Sequence, residues 1–289
     1  MRLSIITINY NNAAGLQKTM QSVLNQISKE FEYIVVDGGS TDGSVEIITN
    51  YELTSTTLSH QSLSAVEMRW VSEKDNGIYH AMNKGIKMAK GEYVQFLNSG
   101  DCLASDDVTA RMLKELPNDC AIFYGNMLKL QPYGILRDKC FAGRQPTMLD
   151  FYRGTLNHSP AYIRRSLFDK YGLYDESLKI VSDWKFYLQA IIFGKEYLVY
   201  QNIDVTLFDM TGVSETNKEL DKAERLQVLK ELLPERILQD YQIWSFPISQ
   251  MQRIKCYPFV EKLYYFIERV LFKIDKNKIR KKKEIICFP

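Results

Sequence analysis

Two turns in this 289-residue chain carry residue types suited to phosphate chemistry. The apolar run Tyr93-Val94-Gln95-Phe96-Leu97 reads as a buried strand, and it stops abruptly at Asn98-Ser99-Gly100-Asp101. One carboxylate, Asp101, is left just past the strand. Ligands of open α/β sheets bind at the carboxyl ends of the strands, and a carboxylate there can hold a divalent cation against a diphosphate. A second acidic turn, Asp37-Gly38-Gly39-Ser40-Thr41-Asp42-Gly43-Ser44, follows the strand-like Tyr33-Ile34-Val35-Val36. Asp37 ends that strand, where it can accept a hydrogen bond from a base N–H or a ribose hydroxyl. The two turns together predict one nucleotide-phosphate crevice.

Look-alike motifs fall away on inspection. Gly38 and Gly43 have P-loop spacing, but Ser44 stands where a phosphate-gripping lysine is required. A Gly-x-Ser-x-Gly nucleophile elbow would need glycine where Asp42 stands. The first strand is followed by Asn9-Tyr10-Asn11-Asn12, not by the Gly-x-Gly-x-x-Gly of a dinucleotide fold. A tight turn with an N-cap at Thr41 or Asp42 accounts for part of the second motif, though not for Asp37.

The elements that must position these turns alternate. Leu3 to Ile8 is a strand; Leu16, Met20, Val23, Leu24 and Ile27 form a helical stripe; Phe31 to Val36 is a strand. Val45, Ile48 and Tyr51 mark a short helix, residues 52–66 read as a Ser/Thr-rich loop, and Arg69 to Val71 is a short strand. Tyr79, Met82, Ile86 and Ala89 form the next helical stripe before the strand Glu92 to Leu97. This alternation predicts an α/β fold with a mostly parallel sheet and helices on both faces. Further on, Ser105 is placed to cap a helix that Pro117 stops. Ala121 to Tyr124 and Lys129 to Leu136 read as strands, and Ser166 to Tyr171 as a short helix. Ser182 is placed to cap a helix from Asp183 to Phe193, Tyr197 to Leu207 is strand-like, and Leu220 to Leu233 is a charged helix.

A net charge of +2 carries no global nucleic-acid signature, although Lys273 to Lys283 is strongly basic. Cys102, Cys120, Cys140, Cys256 and Cys287 are odd in number and widely spaced, which argues against a disulfide framework or zinc site and predicts a reducing, cytoplasmic location. Met1 leads directly into a strand without a signal-peptide core. No segment reaches the ~18 uninterrupted apolar residues of a membrane-spanning helix.

Four segments in order now carry a resemblance. Ser4-Ile5-Ile6-Thr7-Ile8-Asn9-Tyr10-Asn11, Val35-Val36-Asp37-Gly38-Gly39-Ser40-Thr41-Asp42-Gly43, Ser72-Glu73-Lys74-Asp75-Asn76-Gly77-Ile78-Tyr79 and Phe96-Leu97-Asn98-Ser99-Gly100-Asp101 resemble the family 2 glycosyltransferases of the GT-A fold. The resemblance implies a GT-A domain over residues 1–215, followed by a helical extension over 216–289. It implies that Thr7 and Asn9 line the nucleotide pocket, that Asp37 contacts the base (uracil), and that Asp75 lies near base, ribose or donor sugar. Asn98, Ser99 and Asp101 would form the diphosphate turn, with Asp101 holding Mg²⁺ or Mn²⁺. The chain departs from the family's Asp-x-Asp motif there, since Ser99 occupies the first acidic position. The catalytic base falls on Asp183 in Val181-Ser182-Asp183-Trp184. Read from the residue alone, Asp183 is a carboxylate that stabilises the helix dipole; the resemblance is what turns the reading to a base.

In Leu156-Asn157-His158-Ser159-Pro160, Asn157 or His158 is placed to contact donor or acceptor, and His158 equally reads as a structural histidine. His80 reads as structural and His60 as loop. Residues 209–214 resemble the family's flexible segment after the last core strand. At the C-terminus, aromatic residues between Tyr257 and Phe272 precede the basic run. That composition fits a helix on an anionic membrane surface, or one packed on the domain or on a second subunit as a homodimer. The resemblance implies an inverting, metal-dependent transfer from a nucleotide-diphospho-sugar to a glycan or lipid-linked acceptor. Two rivals are a sugar nucleotidyltransferase, which would need a Lys/Arg-containing glycine loop after the first strand, and a degenerate sugar-binding subunit, suggested by Ser99.

Overall fold

A computed structural model describes residues 1–59, 66–208 and 217–282. His60 and residues 209–214 lie outside the described residues. The chain divides into two compact units, Met1–Glu231 and Leu232–Pro289.

The strands of the first unit are β1 (Leu3–Asn9), β2 (Phe31–Asp37), β3 (Glu67–Ser72), β4 (Tyr93–Phe96), β5 (Cys102–Leu103), β6 (Ile122–Gln131), β7 (Gly134–Asp138), β8 (Ala161–Arg164) and β9 (Leu198–Phe208). They form one sheet in the order β3-β2-β1-β4-β8-β6-β9-β5, with β7 paired to β6. The β3-β2-β1-β4 half is parallel, as the alternating pattern predicts. β8 runs antiparallel to both neighbours, which returns β6 and β9 to the direction of β4. Every residue of β1 and β2 is buried, as expected of parallel strands covered on both faces.

The helices of this unit are α1 (Ala13–Leu24), α2 (Ser44–Ser59), α3 (Ile78–Met88), α4 (Val108–Glu115), α5 (Met148–Arg153), α6 (Ser166–Tyr171), α7 (Ser182–Tyr187) and α8 (Lys218–Leu232). α3 packs hard on β1: a Cβ on Gly85 would stand only 2.4 Å from Ile6 Cγ2, so that position has no room for a side chain. At the amino ends of the strands, away from Asp37, the buried Glu32 accepts Ser4 Oγ at 2.6 Å, the N–H groups of Lys90 and Gly91, and the Arg69 guanidinium. Burial raises the Glu32 carboxyl, but the hydrogen bonds from Ser4, Lys90 and Arg69 outweigh it and hold the group below its ordinary value.

Several local expectations change. α2 runs through Ser59, beyond the short helix expected at Val45–Tyr51. Ser and Thr cost only a few tenths of a kcal/mol each in a helix interior, so a polar run does not by itself end one. The two strands expected at 121–124 and 129–136 are one strand, β6, turning into β7. Gly125 marks a bulge, where β6 shifts register against β9 and a Cβ would meet Ile203 O at 2.5 Å. Ser105 does not cap α4; it bonds the side chain of Asp107, which takes the N-cap position. Nor does Ser182 cap α7. Val181 stands there without a side-chain cap, and α7 continues as a π-helical turn over Leu188–Phe193. α5, opened by a Thr147/Asp150 capping box, and β8 had no counterpart in the pattern reading.

The second unit contains α9 (Glu235–Lys255) and α10 (Pro258–Lys282). Among the described residues no helix is long and apolar enough to cross a membrane, and Cys102, Cys120, Cys140 and Cys256 are free thiols. The helix following residue 216 belongs to the first unit, so the compact unit extends beyond the boundary expected at 215.

Candidate functional site

Parallel pairing puts a polar row at the carboxyl edge of the sheet. Asn9 is in register with Asp37, and Asp37 with Ser72. The Asp37 carboxylate is fully buried and accepts from Asn9 Nδ2 (2.8 Å), Ser40 Oγ (2.6 Å), Ser40 N (2.9 Å), Gly39 N (3.2 Å) and Ser72 Oγ (2.7 Å). Burial alone would raise this carboxyl; the bonds from Ser40, Ser72 and Asn9 reverse the effect and hold it below the ordinary carboxylate value. Asp37 is therefore an ionised tie between three strand ends and the glycine turn. Thr7 is completely buried and its hydroxyl accepts from Tyr33 at 3.0 Å, which makes it packing behind the wall.

The loop after β1 links the two acidic turns. Asn11 N donates to Ser40 Oγ and Thr41 N to Asn11 Oδ1. Asn12 caps α1 through Gly15 N, while its amide nitrogen donates to Ser99 O at 3.0 Å. Asp75 reaches the same edge. A Cβ on Gly38 would lie 3.3 Å from Asp75 Oδ2 and 3.1 Å from the Tyr10 ring. Lys84 Nζ and His80 Nδ1 hold Asp75 Oδ1 at 2.6 and 3.0 Å, so His80 serves the position of Asp75.

Asp101 is buried at the end of a turn with Gly100 at φ +111°, a conformation that favours glycine. Thr19 of α1 fixes this turn: its hydroxyl accepts from Gly100 N at 2.9 Å and donates to Asp101 O at 2.7 Å. Asp101 N bonds back to Asn98 O, and Ser99 N to Ile8 O.

The opposite wall comes from the antiparallel half. His158 precedes β8, with Nε2 3.4 Å from Asn98 Nδ2 and Nδ1 3.8 Å from Asp183 Oδ2. With the Asn98 amide donating, Nε2 accepts and the neutral ring carries its proton on Nδ1, facing Asp183. Burial lowers the His158 pKa, and the Asp183 charge restores only part of that. On the other side the Tyr79 hydroxyl, with one proton to donate, lies between Ile180 O and Asp183 Oδ1, 2.9 Å from the latter. Burial, then the Asp183 charge, drives the Tyr79 phenol well above 10, so it stays a donor. Asn98, His158 and Asp183, far apart in sequence, thus form one line flanked by Tyr79.

Sequence reading missed Tyr79, which it took as part of an apolar stripe, and Thr19, which lies on the buried face of α1. A hydroxyl at a helix position facing a polar turn was the available signal for Thr19. Ser72 was visible only through its register with Asp37.

Comparison with known proteins shows the family and the fold. The family described as "Glycosyl transferase family 2" matches residues 4–172. An uncharacterized glycosyltransferase of Mycobacterium tuberculosis is 31% identical over 218 residues, covering 73% of this chain and 76% of that protein. A PGL/p-HBAD biosynthesis glycosyltransferase of Mycobacterium bovis is 28% identical over 77% of this chain and 83% of its own. A putative teichuronic acid biosynthesis glycosyltransferase of Bacillus subtilis is 32% identical over 45% of this chain and 48% of its own. Among solved structures, the Pyrobaculum calidifontis mannosyltransferase with GDP-Man and Mn²⁺ superposes with a TM-score of 0.62 at 16% identity, covering 96% of this chain and 82% of that one. Residues 1–349 of S. aureus TarS with UDP-GlcNAc give 0.57 at 19% identity, covering 82% and 69%. The match spans 41% of the longer TarS chain. These structural likenesses show the GT-A fold.

The neutral His158 has a consequence for stability. The unfolded imidazole takes its proton at the ordinary value of 6.5, whereas the folded one takes it lower. Below 6.5 the unfolded state therefore binds more protons, and stability falls as pH drops through that window. Melting temperatures measured from about pH 7.5 to about pH 5.5 should fall more steeply for the wild type than for His158→Gln. Parallel curves would show that His158 does not titrate this way.

Proposed function

The chain belongs to glycosyl transferase family 2, and from that premise we propose that it transfers a sugar from a nucleotide-diphospho-sugar, a UDP-sugar, to an acceptor hydroxyl with inversion. The nucleotide lies against the Asn9-Asp37-Ser72 row and Asp75, with the base next to Asp37 and the diphosphate at the turn Asn98-Ser99-Gly100-Asp101. The observation that carries the reading is the Asn98-His158-Asp183 line, which sets a carboxylate across from the phosphate turn.

Asp183 acts as the general base. Tyr79 lies 2.9 Å from Oδ1, whereas His158 Nδ1 is 3.8 Å from Oδ2, beyond hydrogen-bond distance, so Oδ2 is the oxygen open to the acceptor hydroxyl. A charged imidazolium beside a carboxylate would weaken it as a base; burial keeps His158 neutral and avoids this. As Oδ2 removes the proton, the acceptor oxygen forms its bond to the anomeric carbon from the face opposite the diphosphate. The bond from that carbon to the diphosphate oxygen breaks, and its electron pair leaves with the diphosphate.

The turn's donor set fits Mg²⁺ or Mn²⁺. Asp101 supplies a carboxylate, and Asn98 Oδ1 is buried without a hydrogen-bond partner among the described residues. Both are hard oxygens. Mg²⁺ and Mn²⁺ commonly take one or two protein carboxylates and fill their remaining positions from substrate phosphates and water. Bound there, the cation would neutralise charge on the departing diphosphate.

The acceptor is a growing envelope glycan or a lipid-linked oligosaccharide. The names of the mycobacterial and Bacillus relatives, in PGL/p-HBAD and teichuronic acid biosynthesis, support that class. The second unit supports a lipid surface: on α10, Phe259, Phe266 and Phe272 are 79%, 64% and 70% exposed, and Lys273 and Lys276 follow. Apolar rings beside lysines suit an anionic leaflet.

Two experiments test this reading. A thermal-shift panel of nucleotide diphosphates and their sugars, with and without Mn²⁺, identifies the donor. Asp183→Asn should bind that donor normally and slow transfer by about 10²–10⁴-fold; near-wild-type transfer by a folded variant would remove Asp183 as the base. Separately, deletion from Cys256 onward should leave UDP binding intact and abolish co-sedimentation with phosphatidylserine vesicles. Equal vesicle binding by the truncated protein would refute the membrane role, and dimer loss on truncation would assign the same face to a second copy.

A further inference from the structure

Asp183 sits in a turn that makes no side-chain cap of its own. Val181 offers none, and Ser182 Oγ has no hydrogen-bond partner among the described residues. The donors of this turn are met from α8. Glu224, 6% exposed, accepts the backbone N–H groups of Lys179 (2.7 Å), Ile180 (2.9 Å) and Val181 (3.3 Å).

The next residue of α8 holds the other flank. Arg225 places its guanidinium carbon 4.6 Å from the ring centre of Trp184 and donates to Gly154 O at 3.2 Å. Asp221, one turn earlier, holds Arg225 Nε at 3.1 Å. Trp184 is pinned in turn by donating its indole N–H to Phe151 O at 2.9 Å. Two consecutive residues thus hold residues 179–181, ahead of Asp183, and Trp184, directly after it.

We propose that Glu224 is a positioning residue for Asp183, fixing the direction of its carboxylate through the backbone of 179–181, with Arg225 as the second hold. The inference rests on reading Asp183 as the base. A carboxylate is the suitable group because its two oxygens can receive several converging N–H donors, and charge-assisted bonds are roughly twice as strong as neutral ones. Substrate is not required to touch Glu224; a small tilt of the turn would misdirect Oδ2, and displacements near 1 Å can cost on the order of 10²-fold in rate.

Glu224→Gln is nearly isosteric but turns an amide NH₂ toward backbone N–H groups. Hydrogen exchange of residues 179–187 should quicken by roughly tenfold or more while β1–β4 keep their protection. The Mn²⁺-dependent thermal shift by UDP should be unchanged. Turnover of the UDP-sugar that the panel selects should fall roughly 10–100-fold in kcat, with little change in donor KM. In an Asp183→Asn background the same substitution should cause no further loss, because both act through one group. Unchanged exchange at 179–187, or an equal loss in both backgrounds, overturns the positioning role and leaves the base assignment standing. Near-wild-type turnover by Asp183→Asn overturns the base assignment and this inference with it. If Glu224→Gln does not fold, Glu224→Asp, which keeps the charge but is one methylene shorter, is judged by the same criteria.

Discussion

A carboxylate taken out of water is costly unless donors surround it, and Glu32, Asp37 and Glu224 of the first unit are each met this way. Glu32 gathers Ser4, Lys90, Gly91 and Arg69 at the amino ends of the parallel strands. Asp37 gathers Asn9, Gly39, Ser40 and Ser72 at their carboxyl ends. Glu224 gathers three consecutive backbone N–H groups ahead of α7. The first two pin the sheet at opposite ends. The third secures the turn carrying Asp183.

The two walls of the site follow from strand direction. Parallel strands β1–β4 deliver their carboxyl ends, and so the Asp37 and Asp101 turns, to one edge. β8 is antiparallel, so it is the approach to its amino end, with His158, that reaches the same edge. His158 can therefore stand between Asn98 and Asp183. Burial keeps it neutral, which lets it lie against the carboxylate without forming a tight ion pair.

Much of the first wall was legible in the sequence. Apolar runs ending in acidic glycine turns locate β2, β4 and their edge, because period and turn chemistry are local. Asp101 and Asp37 could be placed for that reason. Register is not local, so the Asn9-Asp37-Ser72 row, and the saturation of the Asp37 carboxylate by protein donors, emerged only with the pairing. The second wall was less readable. α5 and β8 are short, and β6 carries a bulge at Gly125 that mimics a strand end. Tyr79 looked apolar because a phenol reads as an aromatic until its partner is known. Glu224 and Arg225 fall within the charged helix expected at Leu220 to Leu233, and nothing in α8 itself announces the turn they hold.

The most direct test is the structure of the protein with UDP and Mn²⁺, read by anomalous scattering from the metal. The account predicts one manganese peak within coordination distance of the Asp101 carboxylate and the diphosphate, with Asp183 across the sugar position from it. A diphosphate bound away from the 98–101 turn, or manganese held without Asp101, would contradict it.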